Sequence, residues 1–296
     1  MKRKSFIKLA GLTGLSTLFG MSGLRELHSY SQDLKSTDKM PVLFLGHGSP
    51  MNAIEENQFV KGFREVAQAI PTPKAILCVS AHWFTRGTKV TAMQMPKTIH
   101  DFYGFPQALF DVQYPAPGSP ALAEEAQELL SPTSVELDHE WGLDHGAWSV
   151  IKHLYPDADI PVIQMSIDYT KPPAFHFELA RQLQSLRSKG ILIIGSGNIV
   201  HNLRMVDFAG INRDDYGFDW AREARQTVNH HILSGNYAPL MNYHQQGQAL
   251  KLAVPTPDHY LPLIYTLGLQ TAREEVSLFN DKMVGGSISM TSLKIS

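Results

Sequence analysis

VLFLGHGSP, residues 42–50, opens with four apolar residues and ends in a turn that carries His47 between two glycines. A short apolar run that stops at glycine and proline is typical of a buried strand. ILCVSAHW, residues 76–83, has the same form, and we expect His82 just past the end of its strand. Both segments therefore predict a buried strand that delivers an imidazole at its carboxyl end.

Apolar runs alternate with helical patterns from Met40 onward. Strands are predicted over 42–45, 75–80, 160–167 and 190–195, and helices over 57–69, 119–130, 145–154 and 173–188. Strands that alternate with helices are typical of a parallel sheet covered on both faces. The sequence therefore predicts an α/β fold, a single domain with a mainly parallel central sheet flanked by helices.

The remaining segments are less regular. Residues 96–118 are rich in proline, glycine and aromatic residues and predict a long ordered loop, a kind of loop that is usually functional. Residues 204–256 give a weaker helical pattern, and the tail GSISMTSLKIS is expected to form a closing edge strand.

Composition excludes some classes of protein. The chain has 296 residues, of which 43% are hydrophobic, so it can bury a large core. Its net charge of −2 provides no basic field for phosphate, so nucleic acid is not expected as a partner. The single cysteine, Cys78, lies in an apolar strand pattern and is expected to be a small core residue. GSGN at 195–198 lacks the lysine and the full glycine pattern of a nucleotide site.

The first 38 residues are predicted to be a signal-like leader and linker, and residues 39–296 are predicted to be the folded domain. Basic residues at the N-terminus precede an uncharged run that is too short and too glycine-rich for a membrane span, so the mature protein is expected to have no stable span. RKSFIK resembles a twin-arginine export signal, although its second arginine is Lys4. Export to the periplasm is expected, and a frayed leader on a cytoplasmic enzyme is the alternative.

Four histidines lie at positions that indicate a site. His47, His82 and His201 lie at or soon after the ends of predicted strands, and His259 follows a proline-rich loop. In an open α/β sheet, side chains at the carboxyl ends of parallel strands converge on one crevice. Imidazole is the commonest metal ligand in proteins, and several of them without cysteine indicate zinc or non-haem iron. The pattern therefore predicts a metal site at the carboxyl ends of the strands, and the alternative at each position is an isolated structural histidine.

Seven motifs in order carry a family resemblance. They are GHGSPMNAI, SAHWFTRG, IHDFYGFP, YPAPGSPALA, LDHEWGLDHGAWSVIKHLYP, GSGNIVHNL and PTPDHYLPL. Together they resemble the 4,5-DOPA extradiol dioxygenase family, within the class III extradiol ring-cleavage dioxygenases. The resemblance covers roughly residues 40–296, which it identifies as an extradiol dioxygenase catalytic domain.

The resemblance implies roles for individual residues. It makes His47, His82, His201 and His259 the metal ligands and His145 the acid/base, with one divalent ion, Zn(II) or Fe(II), per chain. Typical class III enzymes hold Fe(II) with two histidines and one carboxylate, and no carboxylate of this chain obviously takes that third place. A helix beginning after Asp144 would place His145 in its first turn.

The implied reaction inserts O2 into a small catechol such as DOPA, in a pocket walled by the loop HDFYGFP. Phe102 and Tyr103 are expected to stack on the catechol ring and His100 to hydrogen-bond a hydroxyl, although aromatic clusters are most often plain packing. A zinc hydrolase that activates water at the same histidines is one alternative. A non-catalytic metal-binding relative is another, and the sequence leaves the oligomeric state open.

Overall fold

The computed structural model describes residues 39–296, so the leader predicted over residues 1–38 lies outside the described residues. Eight strands form one sheet in the order β4-β3-β5-β2-β6-β1-β10-β7. Its strands are β1 (Val42–Gly46), β2 (Ala75–Thr85), β3 (Thr88–Thr91), β4 (Val135–Asp138), β5 (Val162–Asp168), β6 (Ile191–Gly197), β7 (Val276–Phe279) and β10 (Ser292–Ile295), and β8 (Met283–Val284) pairs with β9 (Ile288–Ser289) separately.

The four central strands, β5, β2, β6 and β1, are mutually parallel. Within this eight-stranded sheet, antiparallel pairing occurs where β3 joins β5 and where β10 joins β1 and β7. All four central strands were predicted, because each is an apolar run buried on both faces. The predicted fold class, α/β with a mainly parallel central sheet, is confirmed.

Helices connect the strands and cover both faces of the sheet. They are α1 (Gln58–Gln68), α2 (Gln107–Phe110), α3 (Pro120–Leu129), α4 (His145–Leu154), α5 (Pro173–Arg181), α6 (Gln184–Ser188), α7 (Asp219–Leu233), α8 (Ala238–Met241), α9 (Gln248–Ala253) and α10 (Leu261–Gly268). The one helix predicted over 173–188 is two helices, α5 and α6, because a turn at Gln182 and Leu183 interrupts it.

Alternate residues along each central strand enter two separate cores. On β2, Leu77 and Val79 pack into the core beneath α5 and α10, whereas Ile76 and Cys78 pack into the core beneath α1 and α4. This alternation follows from the two-residue period of a strand. Cys78 is fully buried, as expected of a small core residue.

The expectation that the C-terminal tail closes the sheet was wrong. β10 lies between β1 and β7, so the edge belongs to β7. The pattern of β7 is short and only half-buried, which left it without a clear strand signal. β3 and β4, four residues each, form the opposite edge and were also missed.

Within residues 39–296, no helix has the length and apolar character needed to cross a membrane.

Candidate metal centre

His47 is presented by a tight turn directly after β1. Its backbone N–H donates to the carbonyl of Gly197 on neighbouring β6, at 3.2 Å. Gly48 has a φ of +61°, which favours glycine. At Gly46 a Cβ would lie 2.6 Å from the carbonyl oxygen of Met290, so only a residue without a side chain fits. The two glycines therefore hold the imidazole at the carboxyl edge of the sheet, and His47 is itself buried.

His82 lies inside β2, and the expectation that it follows the end of the strand was wrong. The pairing of β2 with β5 shifts register between Val79 and Phe84, and the strand continues to Thr85. Such a bulge inserts unpaired residues and re-aims their side chains. The irregularity turns His82 toward His47, where the two Nε2 atoms are 3.3 Å apart.

His201 and His259 reach the same place from two loops. The N–H of His201 donates to the carbonyl of Ala253, and the carbonyl of His259 accepts from the N–H of Asn198 just after β6. The two imidazoles stack with ring centroids 3.5 Å apart and an angle of 10° between their planes. The loop before α10 is thereby fixed to the carboxyl end of β6.

Five histidines therefore converge: the four that the sequence pattern placed together and His145, which the family resemblance added. The ring centroid of His259 is 5.2 Å from that of His47 and 5.0 Å from that of His82. The centroid of His145 is 3.9 Å from that of His82 and 5.8 Å from that of His47. Because His201 stacks on His259, all five rings share one cluster, and the interpretation of isolated structural histidines does not hold for them.

The contacts of the Ser196 hydroxyl determine the tautomer of His47. The hydroxyl of Ser196 donates its one proton to the carbonyl of Gly146, at 2.5 Å. The same oxygen lies 3.0 Å from Nδ1 of His47, so it accepts a proton carried by Nδ1. Nε2 of neutral His47 consequently has a free lone pair, and this lone pair faces His82.

Two carboxylates act in the same way on other rings of the cluster. Oδ2 of Asp258 lies 2.5 Å from Nδ1 of His259, and Oδ2 of Asp101 lies 3.1 Å from Nδ1 of His82. A carboxylate only accepts, so each Nδ1 carries a proton, and in the neutral ring each Nε2 is then free to bind a metal. Metal-binding histidines in proteins are typically oriented by such partners on the opposite ring nitrogen.

The donor set fits a divalent cation. Two ring nitrogens that face each other at 3.3 Å need a positive charge between them, supplied either by a proton or by a metal ion. Tetrahedral zinc with Zn–N bonds of about 2.0–2.1 Å separates two ligand nitrogens by roughly 3.4 Å. The His47–His82 pair therefore has the spacing that a shared metal ion requires.

Burial favours the neutral form of His47, His201 and His259, which is the form of imidazole that binds metal. Burial and the neighbouring histidines hold the pKa of His47 well below its usual value. Burial is also the main reason that the pKa of His259 is lowered and that of His201 falls to about 2. His82 differs: burial lowers its pKa, but the carboxylates of Asp101, Asp144 and Asp258 outweigh burial and raise it.

His145 is the first residue of α4, as predicted. The carboxylate of Asp144 caps the helix by accepting from the N–H of Ala147, and it also accepts from Ser80 and Gln164. Ligand atoms of His47, His82 and His145 lie within 4.8 Å of one another, so by distance alone His145 belongs with those two. The division between four metal ligands and one acid/base therefore stays a prediction.

Asp101 is a residue at this site that sequence reasoning missed. Its carboxylate lies between Nδ1 of His82 and Nδ1 of His145, 3.1 and 2.9 Å away. Burial opposes ionisation of Asp101, but its contacts with His145 and His82 dominate and hold its pKa well below the usual range. The only signal in the sequence was its place between two predicted pocket residues, His100 and Phe102.

The three predicted substrate-binding residues lie in different surroundings. Phe102 packs edge-on against His145, with ring centroids 5.5 Å apart. Nε2 of His100 is hydrogen-bonded to the carbonyl of Val112 at 2.9 Å, so this nitrogen is already occupied. Tyr103 is 92% exposed. Phe102 is thus the member of the set that contacts the cluster directly, and the substrate-binding roles stay predictions.

Comparison with known proteins gives a family match over most of the described chain. Residues 41–284 match the family described as the catalytic LigB subunit of aromatic ring-opening dioxygenase. A 4,5-DOPA dioxygenase extradiol of Escherichia coli K12 is 50% identical over 268 residues, which cover 88% of this chain and 97% of that protein. A 4,5-DOPA dioxygenase extradiol of Beta vulgaris is 35% identical over 260 residues, covering 86% and 95%.

A solved structure has the same fold. The crystal structure of an uncharacterized protein from Escherichia coli K12 superposes with a TM-score of 0.74 at 44% identity. The alignment covers 87% of this chain and all of the other.

Proposed function

The chain belongs to the family of the catalytic LigB subunit of aromatic ring-opening dioxygenases and is an extradiol dioxygenase, and from that premise we propose that it inserts both atoms of O2 into a small catechol such as DOPA. One divalent metal ion per chain is part of the proposal. The observation that carries it is the cluster of His47, His82 and His259, each with an acceptor on its Nδ1 that leaves Nε2 free in the neutral ring.

The proposed ligands of the ion are His47, His82, His201 and His259. Fe(II) held there would supply the one-electron chemistry that joins a catechol to O2, whereas Zn(II) is redox-inert. A divalent ion held by these residues would also stabilise an ionised catechol hydroxyl through its positive charge.

His145 is the proposed carrier of the phenolic proton. Burial lowers its pKa, so at neutral pH its imidazole is neutral and accepts a proton. Phe102 lies against the same ring and excludes water from one side of it. A ring that takes the proton from a catechol hydroxyl can later return it to the ring-opened product, which is the task of an acid/base residue.

Oxygen uptake tests the proposal. The purified protein is freed of metal, loaded anaerobically with Fe(II) or, as a matched control, with Zn(II), and mixed with a panel of catechols including DOPA. We expect uptake of O2 and a yellow ring-opened product only with Fe(II). No uptake at full iron occupancy would refute the dioxygenase reaction on these substrates, and hydrolysis by the zinc form alone would support the zinc-hydrolase alternative.

A further inference from the structure

Asp101 contacts two site histidines at once. Oδ2 lies 3.1 Å from Nδ1 of His82, and Oδ1 lies 2.9 Å from Nδ1 of His145. Oδ1 also accepts from the backbone N–H of His145 at 2.9 Å, which ties the loop to the first turn of α4. The other carboxylate with an imidazole contact in the cluster, Asp258, contacts His259.

The contact with the ring of His145 is close but bent. Nδ1 of His145 is buried and, among the described residues, has no partner that satisfies hydrogen-bond geometry. Oδ1 of Asp101 at 2.9 Å is therefore the acceptor within reach of this nitrogen. Hydrogen bonds of catalytic groups are often poorly aligned before substrate binds and tighten in the complex.

A carboxylate in this position determines which ring nitrogen carries the proton. Because it only accepts, it favours Nδ1–H on both rings and leaves both Nε2 atoms free. Nε2 of His82 then faces Nε2 of His47, and Nε2 of His145 is left to exchange a proton with substrate. One side chain thus prepares a proposed metal ligand and the proposed acid/base together.

We propose that Asp101 is a positioning residue that fixes the tautomer and orientation of both His82 and His145, and so couples metal binding to proton transfer. The part that concerns turnover rests on the proposed function. The part that concerns metal affinity and tautomer does not.

Asp101→Asn is the informative substitution. An amide of the same size has one accepting oxygen and one donating nitrogen, so it cannot accept from both Nδ1 atoms. Loss of such a partner typically weakens metal binding about 10–100-fold. Asp101→Glu keeps the carboxylate and is the conservative variant.

Asp138→Asn is a matched control. The side chain of Asp138 is 13% exposed, close to the 19% of Asp101, and its Oδ1 accepts from the loop N–H groups of Glu140 and Trp141 at 3.0 and 2.7 Å. It has no imidazole contact among the described residues. If zinc affinity falls only because a carboxylate that accepts from loop N–H groups has been removed, it will therefore fall in both Asp101→Asn and Asp138→Asn.

The experiment measures two properties of the zinc-loaded proteins: zinc affinity, by competition with a chelator, and the ¹⁵N shifts of the His145 ring. In the wild type and in Asp138→Asn we expect a proton on Nδ1 of His145 and equal zinc affinities. In Asp101→Asn we expect about 10–100-fold weaker zinc binding and a shift of the His145 proton toward Nε2. Asp101→Glu should recover part of the zinc affinity and part of the Nδ1 protonation of His145.

Either of two results with the zinc-loaded proteins overturns the proposal. One is a wild-type His145 that carries its proton on Nε2, a measurement that does not depend on any variant folding. The other is a folded Asp101→Asn with zinc affinity within twofold of the control and an unchanged His145 ring. A wild type that consumes no O2 with any catechol, but shows the expected affinities and shifts, refutes the proposed function and leaves the positioning role intact.

Turnover at saturating Fe(II) separates the effect of Asp101 on metal binding by His82 from its effect on proton transfer by His145. If Asp101 acts on His145 as well as His82, the kcat of Asp101→Asn stays below that of Asp138→Asn after metal is restored. Recovery of full kcat at saturating Fe(II) would overturn the coupling to His145.

Discussion

The hydroxyl oxygen of Ser196 lies 3.0 Å from Nδ1 of His47 while donating to the carbonyl of Gly146, the residue that follows His145. Ser196 is fully buried on β6. A single hydroxyl therefore links β6 to the ring of His47 and to the first turn of α4. This contact sets the nitrogen with which His47 faces the cluster.

Ser196→Ala should weaken metal binding, because Nδ1 of His47 loses its acceptor and the ring is free to turn. We expect a loss of about 10–100-fold in zinc affinity, the usual effect of removing such a partner. Ser166→Ala is the matched control, since Ser166 is a buried serine on β5 that bonds to Thr85 and Lys89. Equal zinc affinity in the two variants, measured by chelator competition, would contradict the assignment.

The central fold was predictable because its signals are local. Apolar runs such as Val42–Gly46 are buried on both faces and directly indicate parallel strands. The bulge that places His82 inside β2 left no such signal, because it depends on pairing with β5, a strand distant in sequence. The place of β10 within the sheet likewise depends on β7, whose pattern is too short and too exposed to predict.

The convergence of the histidines was predictable from the sequence, although His82 lies inside its strand and not after it. The residues that orient them were not. Asp101 and Ser196 are ordinary in sequence, and their importance comes from where a long loop and a strand end meet. Hydrogen-bond partners across 149 residues of chain, as between His47 and Ser196, leave no local pattern.

His82→Ala should lose bound metal while the fold survives. The side chain contributes a free Nε2 facing His47, but the buried core of β2 consists of other residues, such as Ile76 and Val79. Metal content after dialysis should fall sharply, because each ligand contributes to affinity. His244→Ala, at an exposed position, should keep full metal content. If both variants hold one ion per chain, His82 is not a ligand.

His176 should make the domain sensitive to acid. It is fully buried, its Nδ1 lies 2.8 Å from the hydroxyl of Tyr265, and burial lowers its pKa to about 4. In the unfolded chain the pKa of histidine is about 6.5, so below that pH the unfolded state binds more protons. Stability from this group is complete above pH 6.5 and is lost as pH falls toward 4.

His176→Gln removes this titration while keeping a hydrogen-bonding group. Between pH 7 and pH 5 the wild type should lose about 2 kcal/mol more unfolding free energy than the variant, as expected for a pKa difference of about 2.5 units. Urea unfolding at a series of pH values measures this difference. Parallel pH profiles for the two proteins would show that His176 is protonated without unfolding.

The leader predicted over residues 1–38 is open to a direct measurement. If residues 1 to about 28 are an export signal, native protein should begin beyond the apolar run, because targeting segments are removed. N-terminal sequencing of protein from the native host gives the answer. An intact N-terminus on active protein in the cytoplasm would contradict export.

Replacement of His145 distinguishes proton transfer from metal binding. If His145 is the acid/base, His145→Ala should keep its metal and still bind catechol, yet lose roughly 10²–10⁴-fold in turnover. His145→Gln should be equally poor, because glutamine hydrogen-bonds but carries no proton near neutral pH. Metal content, catechol binding and kcat are measured on the same preparations, with His244→Ala as the control. Loss of metal from His145→Ala would instead make His145 a ligand, in keeping with its distance from His47 and His82. Unchanged turnover in His145→Ala would show that another group transfers the catechol proton.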